Sequence, residues 1–164
     1  MKVHNKKRFT KVGWLLFYLY IILLSYFLFF SERYGREYQL AGYRYNLELF
    51  KEIKRFIRYR EQLGIESFVV NILGNILAFM PFGFLLPLLS TKYRRFFSAA
   101  FLSLLFSIVV EALQLAFKVG IFDVDDMLLN SIGGIFGYII FAVPYGIFRR
   151  VHSRRQDRGE KKAG

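Results

Sequence analysis

The stretch that decides the fold is Phe96–Phe117, which reads FFSAAFLSLLFSIVVEALQLAF. At about 1.5 Å per helical residue, this apolar run crosses the roughly 30 Å hydrocarbon core of a bilayer. Its single charged residue is Glu111. An ionisable group at such a depth costs several kcal/mol unless it is partnered, so Glu111 is a candidate functional residue by default.

Three more apolar runs of bilayer-spanning length occur in the chain: Val12–Phe30, Phe68–Leu89 and Met127–Phe148. The sequence therefore predicts an all-α membrane protein with four transmembrane helices, at about 12–30, 68–89, 96–117 and 127–148. The first run has a basic start, but it is too long for a secretory signal core and lacks a small-x-small cleavage site, which indicates a retained helix. The absence of cysteine excludes disulfide, zinc-thiolate and thiol-nucleophile chemistry.

The distribution of charge predicts the orientation of these helices. The tails 1–11 and 149–164 and the loop 90–95 together hold 15 Lys/Arg and two acids, whereas the opposite side balances nine against nine. The positive-inside rule places both termini in the cytoplasm, with 149–164 predicted to be a disordered basic tail. The basic tails serve as topology signals and contacts to anionic lipid, and nothing in the sequence supports nucleic-acid binding.

The segment between the first two spans predicts an amphipathic extracytoplasmic helix at about 47–63. Apolar residues recur there at helical spacing with basic and acidic residues between them. Asn46 is the expected N-cap, Glu48 lies in the first turn, and Gly64 is the expected stop. Such a helix lies in the membrane interface or caps the bundle, and the alternative is a solvated connecting helix.

Polar residues inside the spans recur on single helix faces and lie in one half of the bilayer, which the topology makes the outer half. Ser103, Ser107 and Glu111 are spaced by four and predict a stripe that faces the bundle interior. The predicted polar pocket consists of Asn71, Asn75, Glu111, Gln114, Asp123, Asp126 and Asn130. The alternative is that the amides are interhelical hydrogen-bond partners, and that Asp125 is an N-cap or an acid at the favourable dipole end of the fourth span.

Small residues and prolines predict how the helices pack. Pro81 is expected to kink the second span. The residues expected at close helix contacts are Gly74, Gly83, Gly133, Gly134 and Gly137, of which Gly133 and Gly137 form a G-x-x-x-G step.

An ordered set of these motifs resembles the VanZ-like family of bacterial membrane proteins. The matching residues lie between 46 and 137: Asn46-Leu47 with Phe50, Asn71-x-x-x-Asn75, Phe79-Met80-Pro81-Phe82-Gly83, Glu111-x-x-Gln114, Gly120, Asp123, Asp126, and Asn130 with Gly133-Gly134. The resemblance implies one four-helix membrane domain over 12–148 in the bacterial cell membrane. It also implies reduced susceptibility to teicoplanin, a lipid-tailed glycopeptide. Leu49 replaces a usual proline, and the turn Gly120-Ile121-Phe122 lacks the arginine that many members carry, so an arginine-paired mechanism is not carried over.

Three functions fit these residues. The favoured one is a non-catalytic binder or modulator of an envelope lipid, a lipid-linked cell-wall precursor or the lipoglycopeptide itself. The first alternative is an intramembrane enzyme acting on a lipid-linked head group through Glu111, Asp123 and Asp126. The second is a small proton-coupled exporter, although no inverted repeat is evident. No cofactor is expected, and a divalent cation at Asp123 and Asp126 is the minor metal hypothesis.

Overall fold

The computed structural model describes the backbone of residues 3–30 and 42–163, and the side chains of 11–30, 42–59 and most of 61–153. In chain order the elements are α1 (Val3–Phe30), β1 (Tyr45–Asn46), α2 (Lys51–Arg58), α3 (Arg60–Phe68), α4 (Gly74–Leu89), α5 (Phe96–Ala116), β2 (Phe122–Asp123) and α6 (Val124–Ala163). A π-helical segment, Val69–Leu73, leads from α3 into α4, and a 3₁₀ turn, Thr91–Arg94, joins α4 to α5.

The four predicted spans are confirmed. The helical segments long and apolar enough to cross a membrane are Lys11–Phe30, Val69–Leu89, Phe96–Ala116 and Val124–Ser153. The fourth is longer than expected because α6 begins three residues earlier and continues past the last apolar residue. α6 extends to Ala163 and so includes most of the basic tail 149–164, whose disorder stays a prediction.

The extramembrane helix predicted at 47–63 is two helices, α2 and α3. Asn46 is not its N-cap, because Asn46 lies in β1 and the N-cap position of α2 is Phe50, which has a left-handed φ of 64° and forms no side-chain cap. Gly64 does interrupt the helical path as expected, with φ of 79° and ψ of 148°. The four residues after this kink, 65–68, are helical and lead into the π-helical segment, so the chain enters the second span without a loop.

The centre of the bundle is a close contact between α4 and α6, the most extensive helix pair. A Cβ added to Gly83 would lie 1.8 Å from the carbonyl oxygen of Gly134, and one added to Gly137 would lie 1.9 Å from that of Met80. Gly133 lies equally close to the backbone of α4 at Ile76. Only glycine permits backbones to approach in this way, which fixes the position of α6 against α4.

Gly74 differs from the prediction for the glycines. A Cβ added there would meet no atom within 4 Å, so Gly74 is not at a close helix contact. α4 also continues as one helix through Pro81 and Pro87, so the kink expected at Pro81 does not divide it. The hydroxyl of Tyr20 in α1 donates to the carbonyl of Ala78 at 2.9 Å, one turn before Pro81, where the proline ring disturbs backbone pairing.

The apolar core lies between α1, α4 and α5. Phe79 is fully buried and packs with Leu24, Leu28 and Val110. The rings of Phe82 and Phe106 stack at a centroid distance of 4.3 Å and continue this core along the bundle. Because α5 contributes apolar residues to this side and its polar stripe to the side facing α6, the polar residues of the bundle meet at one place.

Candidate functional site

Glu111 points into the bundle and contacts the start of α6. It is 2% exposed, and its Oε2 accepts the backbone N–H of Asp123 at 3.1 Å. Ser103, Ser107 and Gln114, on the same face of α5, are also buried. The polar stripe predicted from the spacing therefore faces protein rather than lipid.

Asp123 caps α6 and joins two loops that are distant in sequence. Its Oδ1 accepts the backbone N–H of Asp125 at 2.8 Å, and both its carboxylate oxygens accept from Nδ2 of Asn46 at 3.2 Å. β1 and β2 pair in parallel beside this contact, with Tyr45 opposite Phe122 and Asn46 opposite Asp123. Burial raises the pKa of the Asp123 carboxyl above its ordinary value, although the hydrogen bonds from Asp125 and Asn46 oppose that effect.

Asp125 caps a different helix from the one that contains it. Its side chain is fully buried, its Oδ1 accepts the backbone N–H of Phe50, and its Oδ2 accepts those of Glu52 at 2.8 Å and Ile53 at 3.2 Å. These donors are the unpaired N–H groups at the start of α2, where a negative charge is also favoured by the helix dipole. The N-cap role expected for Asp125 within its own helix belongs to Asp123, and Asp125 instead holds α2 against α6.

Two amide side chains complete the contacts between spans. Nδ2 of Asn75 donates to Oδ1 of Asp126 at 2.7 Å, which joins α4 to α6. Nδ2 of Asn130 donates to Oγ of Ser107 at 3.1 Å, which joins α6 to α5. Asn130 is only 2% exposed, and among the described residues its buried Oδ1 accepts no hydrogen bond. A buried acceptor without a donor costs about 1–3 kcal/mol, so this atom indicates a missing partner.

The predicted polar residues line one cavity of about 620 Å³. Its wall includes Asn71, Asn75, Glu111, Gln114, Asp123, Asp126 and Asn130. The π-helical segment carries Asn71, and π-helical turns are frequent at functional sites. The cavity has a volume in the range of small-molecule sites.

The mouth of the cavity carries positive charge that the sequence did not assign to the site. Arg44, Lys51, Arg55 and Lys118 line it, and all four are exposed. Nζ of Lys118 lies 4.9 Å from the centroid of the Tyr43 ring, a cation–π contact. With the acids Glu52, Glu111, Asp123 and Asp126 in the same wall, the lining holds four formal charges of each sign. Apart from Asn46, the amide groups come from the spans, as do the acids Glu111 and Asp126, whereas all four basic residues come from segments outside them.

The acids of the cavity are paired with amide side chains. Asp123 and Asp126 accept hydrogen bonds from Asn46 and Asn75 respectively. Among the side chains that the structure describes, no three of His, Cys, Asp or Glu are grouped so that they could hold a metal ion. The divalent cation considered at Asp123 and Asp126 stays a prediction.

Sequence reasoning missed several residues of this arrangement. Asn46 was assigned to a helix cap, and its partner Asp123 is 77 residues away, which no local pattern indicates. Lys51 and Arg55 were interpreted as charged residues of an amphipathic helix, and Arg44 was given no role. The clearest signal of these contacts was the run of three carboxylates within four residues. Because the sequence around Asp125 offers no basic residue to balance its charge, its partner had to come from a distant part of the chain.

Four spanning helices around a polar cavity, with apolar side chains exposed over their outer surfaces, define a helical integral membrane protein. The chain belongs to the VanZ/LLP1 family, whose model matches residues 17–149. It is similar to Protein VanZ of Enterococcus faecium, at 29% identity over 73 residues. That match covers 44% of this chain and 45% of the relative, so the chain aligns with less than half the length of the curated relative. No solved structure matches it.

Proposed function

We propose that this protein binds the polar head group of a membrane amphiphile in its cavity, and that this binding lowers the susceptibility of a bacterium to lipid-tailed glycopeptides such as teicoplanin. The observation that carries the proposal is the cavity itself. Seven polar residues from three spans and the turn before α6 line one volume of about 620 Å³. Hydrogen-bond pairing between helices alone would not require an open space among them.

The size and position of the cavity favour a head group as the ligand. Small-molecule sites have volumes of about 300–1,000 Å³, which accommodates a lipid head group or one or two sugar rings but not a whole glycopeptide antibiotic. Leu28 and Phe56 lie in the same lining as the charged residues, so an amphiphile would find apolar contact beside polar contact.

The distribution of charge supports an extracytoplasmic opening. An even number of crossings places both termini on one side, and that side holds the excess of Lys and Arg. The positive-inside rule makes that side cytoplasmic, so the segments 42–58 and 117–123 around the cavity face the outside of the bacterial cell membrane. Lipid-tailed glycopeptides and lipid-linked cell-wall precursors both occur in that outer leaflet.

Family membership supports the resistance role. The VanZ-like resemblance implies decreased teicoplanin susceptibility, and the matched relative is named Protein VanZ. The cavity supplies a physical reason for selectivity, since a binder of amphiphile head groups would affect a membrane-anchored drug more than one without a lipid tail.

The test is drug susceptibility of a sensitive host that expresses Glu111→Gln, Asp123→Asn or Asp126→Asn. Each change removes one cavity charge at nearly constant volume. We expect the wild-type protein to raise the inhibitory concentration of teicoplanin but not of vancomycin, which lacks the lipid tail, and each variant to lose most of that protection. Membrane abundance of every variant is measured by immunoblot.

Glu66→Gln is the matched control, because Glu66 is an exposed acid outside the cavity lining. It should retain full protection. Equal protection by all three cavity variants at equal abundance would refute a role for the cavity, and equal protection against vancomycin would refute selectivity for the lipid tail.

A further inference from the structure

We infer that the head group selected by this cavity is a phosphate ester that carries a primary ammonium group, as in phosphatidylethanolamine. The inference rests on the proposed function, since it requires that the cavity bind a head group. It adds the chemical class, which follows from two features: three hydrogen-bond acceptors inside the bundle and a set of exposed cations at the mouth.

The acceptors inside the bundle are Glu111, Asp126 and Asn130. Glu111 accepts through Oε2 and Asp126 through Oδ1. Each carboxylate has a second oxygen as a further acceptor. Within the described residues, the buried Oδ1 of Asn130 accepts no hydrogen bond. Three acceptors of this kind match the three N–H donors of a primary ammonium group.

Helical spacing places these acceptors within one turn of each other. Asp126 and Asn130 are four apart on α6, and Ser107 and Glu111 are four apart on α5, so each pair lies on one helix face. Asn130 bonds Ser107 at the deeper level. Glu111 and Asp126 therefore lie one turn nearer the mouth, both in the lining of the cavity. An ammonium group bound there would contact both carboxyl groups and give the amide oxygen its donor.

The basic residues at the mouth suit the phosphate. Arg44, Lys51, Arg55 and Lys118 lie in the cavity lining and come from the segments that flank its opening. Two of these residues form ion pairs within α2 and its approach. Nζ of Lys51 lies 4.0 Å from Glu48, and Arg55 lies 2.7 Å from Glu52, with both basic side chains more than half exposed. Arg and Lys are the side chains that recognise phosphate, by paired hydrogen bonds and as point charges respectively.

This arrangement discriminates between common head groups. Phosphatidylcholine has a cation without N–H donors, so the oxygen of Asn130 would remain unsatisfied. Phosphatidylglycerol has hydroxyl donors but no positive charge, so the two carboxylates would remain uncompensated. Both defects cost enough to weaken binding about tenfold or more relative to the ethanolamine lipid.

The test uses the full-length protein in detergent micelles, titrated separately with dioleoyl phosphatidylethanolamine, phosphatidylcholine and phosphatidylglycerol. Native mass spectrometry gives the apparent affinities, and thermal melting gives the ligand-dependent stabilisation. We expect at least about tenfold tighter binding of the ethanolamine lipid. Soluble phosphoethanolamine should compete with it, and phosphocholine should not. Glu111→Gln and Asp126→Asn should reduce the preference below about threefold, whereas Glu66→Gln should preserve it.

The outcomes separate this inference from the proposed function. Ethanolamine preference that disappears in the cavity variants supports it. Saturable binding of all three lipids with equal affinity, or a preference for phosphatidylglycerol, overturns it and leaves head-group binding standing. Absence of saturable binding by any lipid overturns both. If a variant fails to fold, the ranking of the three lipids by the wild-type protein still decides the question.

Discussion

Removing the Asp125 carboxylate tests whether α2 is held in place from another helix. Asp125→Ala leaves the backbone N–H groups of Phe50, Glu52 and Ile53 without their acceptor. Asp125→Asn keeps one oxygen and removes the charge, so it serves as a graded intermediate. Neither change alters the apolar core of the bundle.

The expected magnitude follows from the three hydrogen bonds. Loss of an N-cap side chain costs about 0.5–2 kcal/mol, and hydrogen bonds to charged groups contribute about 1.5–3 kcal/mol. Because water replaces part of the loss once α2 separates from α6, we expect about 2–3 kcal/mol for Asp125→Ala and about half of that for Asp125→Asn. In the alanine variant, local opening would then become roughly 30- to 150-fold more frequent.

Hydrogen–deuterium exchange of the micelle-embedded protein measures this opening. The peptide covering residues 45–58 should exchange faster by the stated factor in Asp125→Ala, while peptides within α4 and α5 stay unchanged. Glu61→Gln is the control, since Glu61 is an exposed acid in the first turn of α3. Unchanged exchange of 45–58 in Asp125→Ala would show that the carboxylate does not hold α2.

Three further predictions concern thermal melting in micelles. Gly137→Ala should lower the melting temperature by several degrees because its Cβ would lie 1.9 Å from a carbonyl of α4, whereas Gly146→Ala, with no atom within 4 Å, should not. Arg94→Ala loses a 2.8 Å hydrogen bond to the Tyr145 hydroxyl and should cost about 1–2 kcal/mol. Asp123→Asn should gain stability relative to wild type as pH rises above the ordinary pKa of an aspartate and through the raised pKa of Asp123. Folding raises the Asp123 pKa, so the favourable contribution of the carboxyl is complete only below its unfolded pKa and is lost at higher pH.

Each of these has a contrary result. Equal melting temperatures of Gly137→Ala and Gly146→Ala would contradict the close backbone contact at Gly137, because helix propensity favours alanine at both positions. An unchanged melting temperature of Arg94→Ala would show that the hydrogen bond from Arg94 to Tyr145 does not stabilise the protein. A difference between Asp123→Asn and wild type that does not vary with pH would contradict the shifted pKa.

The spans could be predicted from sequence because their signal is local and long. A run of twenty apolar residues fits few structures other than a membrane-spanning helix. The four predicted spans agree with the structure to within a few residues, apart from the long α6. The polar stripe on α5 was equally readable, since a spacing of four places Ser103, Ser107 and Glu111 on one face. The positions of Gly83 and Gly137 at the helix contact follow the same logic.

The extramembrane half of the site could not be predicted, because long-range contacts decide it. Residues 47–50 have helix-compatible composition, yet α2 begins only at Lys51, where the carboxylate of Asp125 meets its first N–H groups. Asn46 was a good N-cap by type, but its amide bonds Asp123 instead. The close helix contact predicted at Gly74 was wrong, because a small residue on a helix need not face a neighbouring helix.

The pairing of Asn46 with Asp123 also bears on how the protein is made. The two residues are 77 positions apart, and two membrane crossings lie between them. At about 5–20 residues per second, Asn46 is added to the chain roughly 4–15 s before Asp123. The contact between Asn46 and Asp123 in the cavity wall can therefore form only when the chain has been made as far as the start of the last helix. In micelles, a chain stopped after Lys118 should leave the segment 42–58 open to added protease, whereas the full chain should protect it.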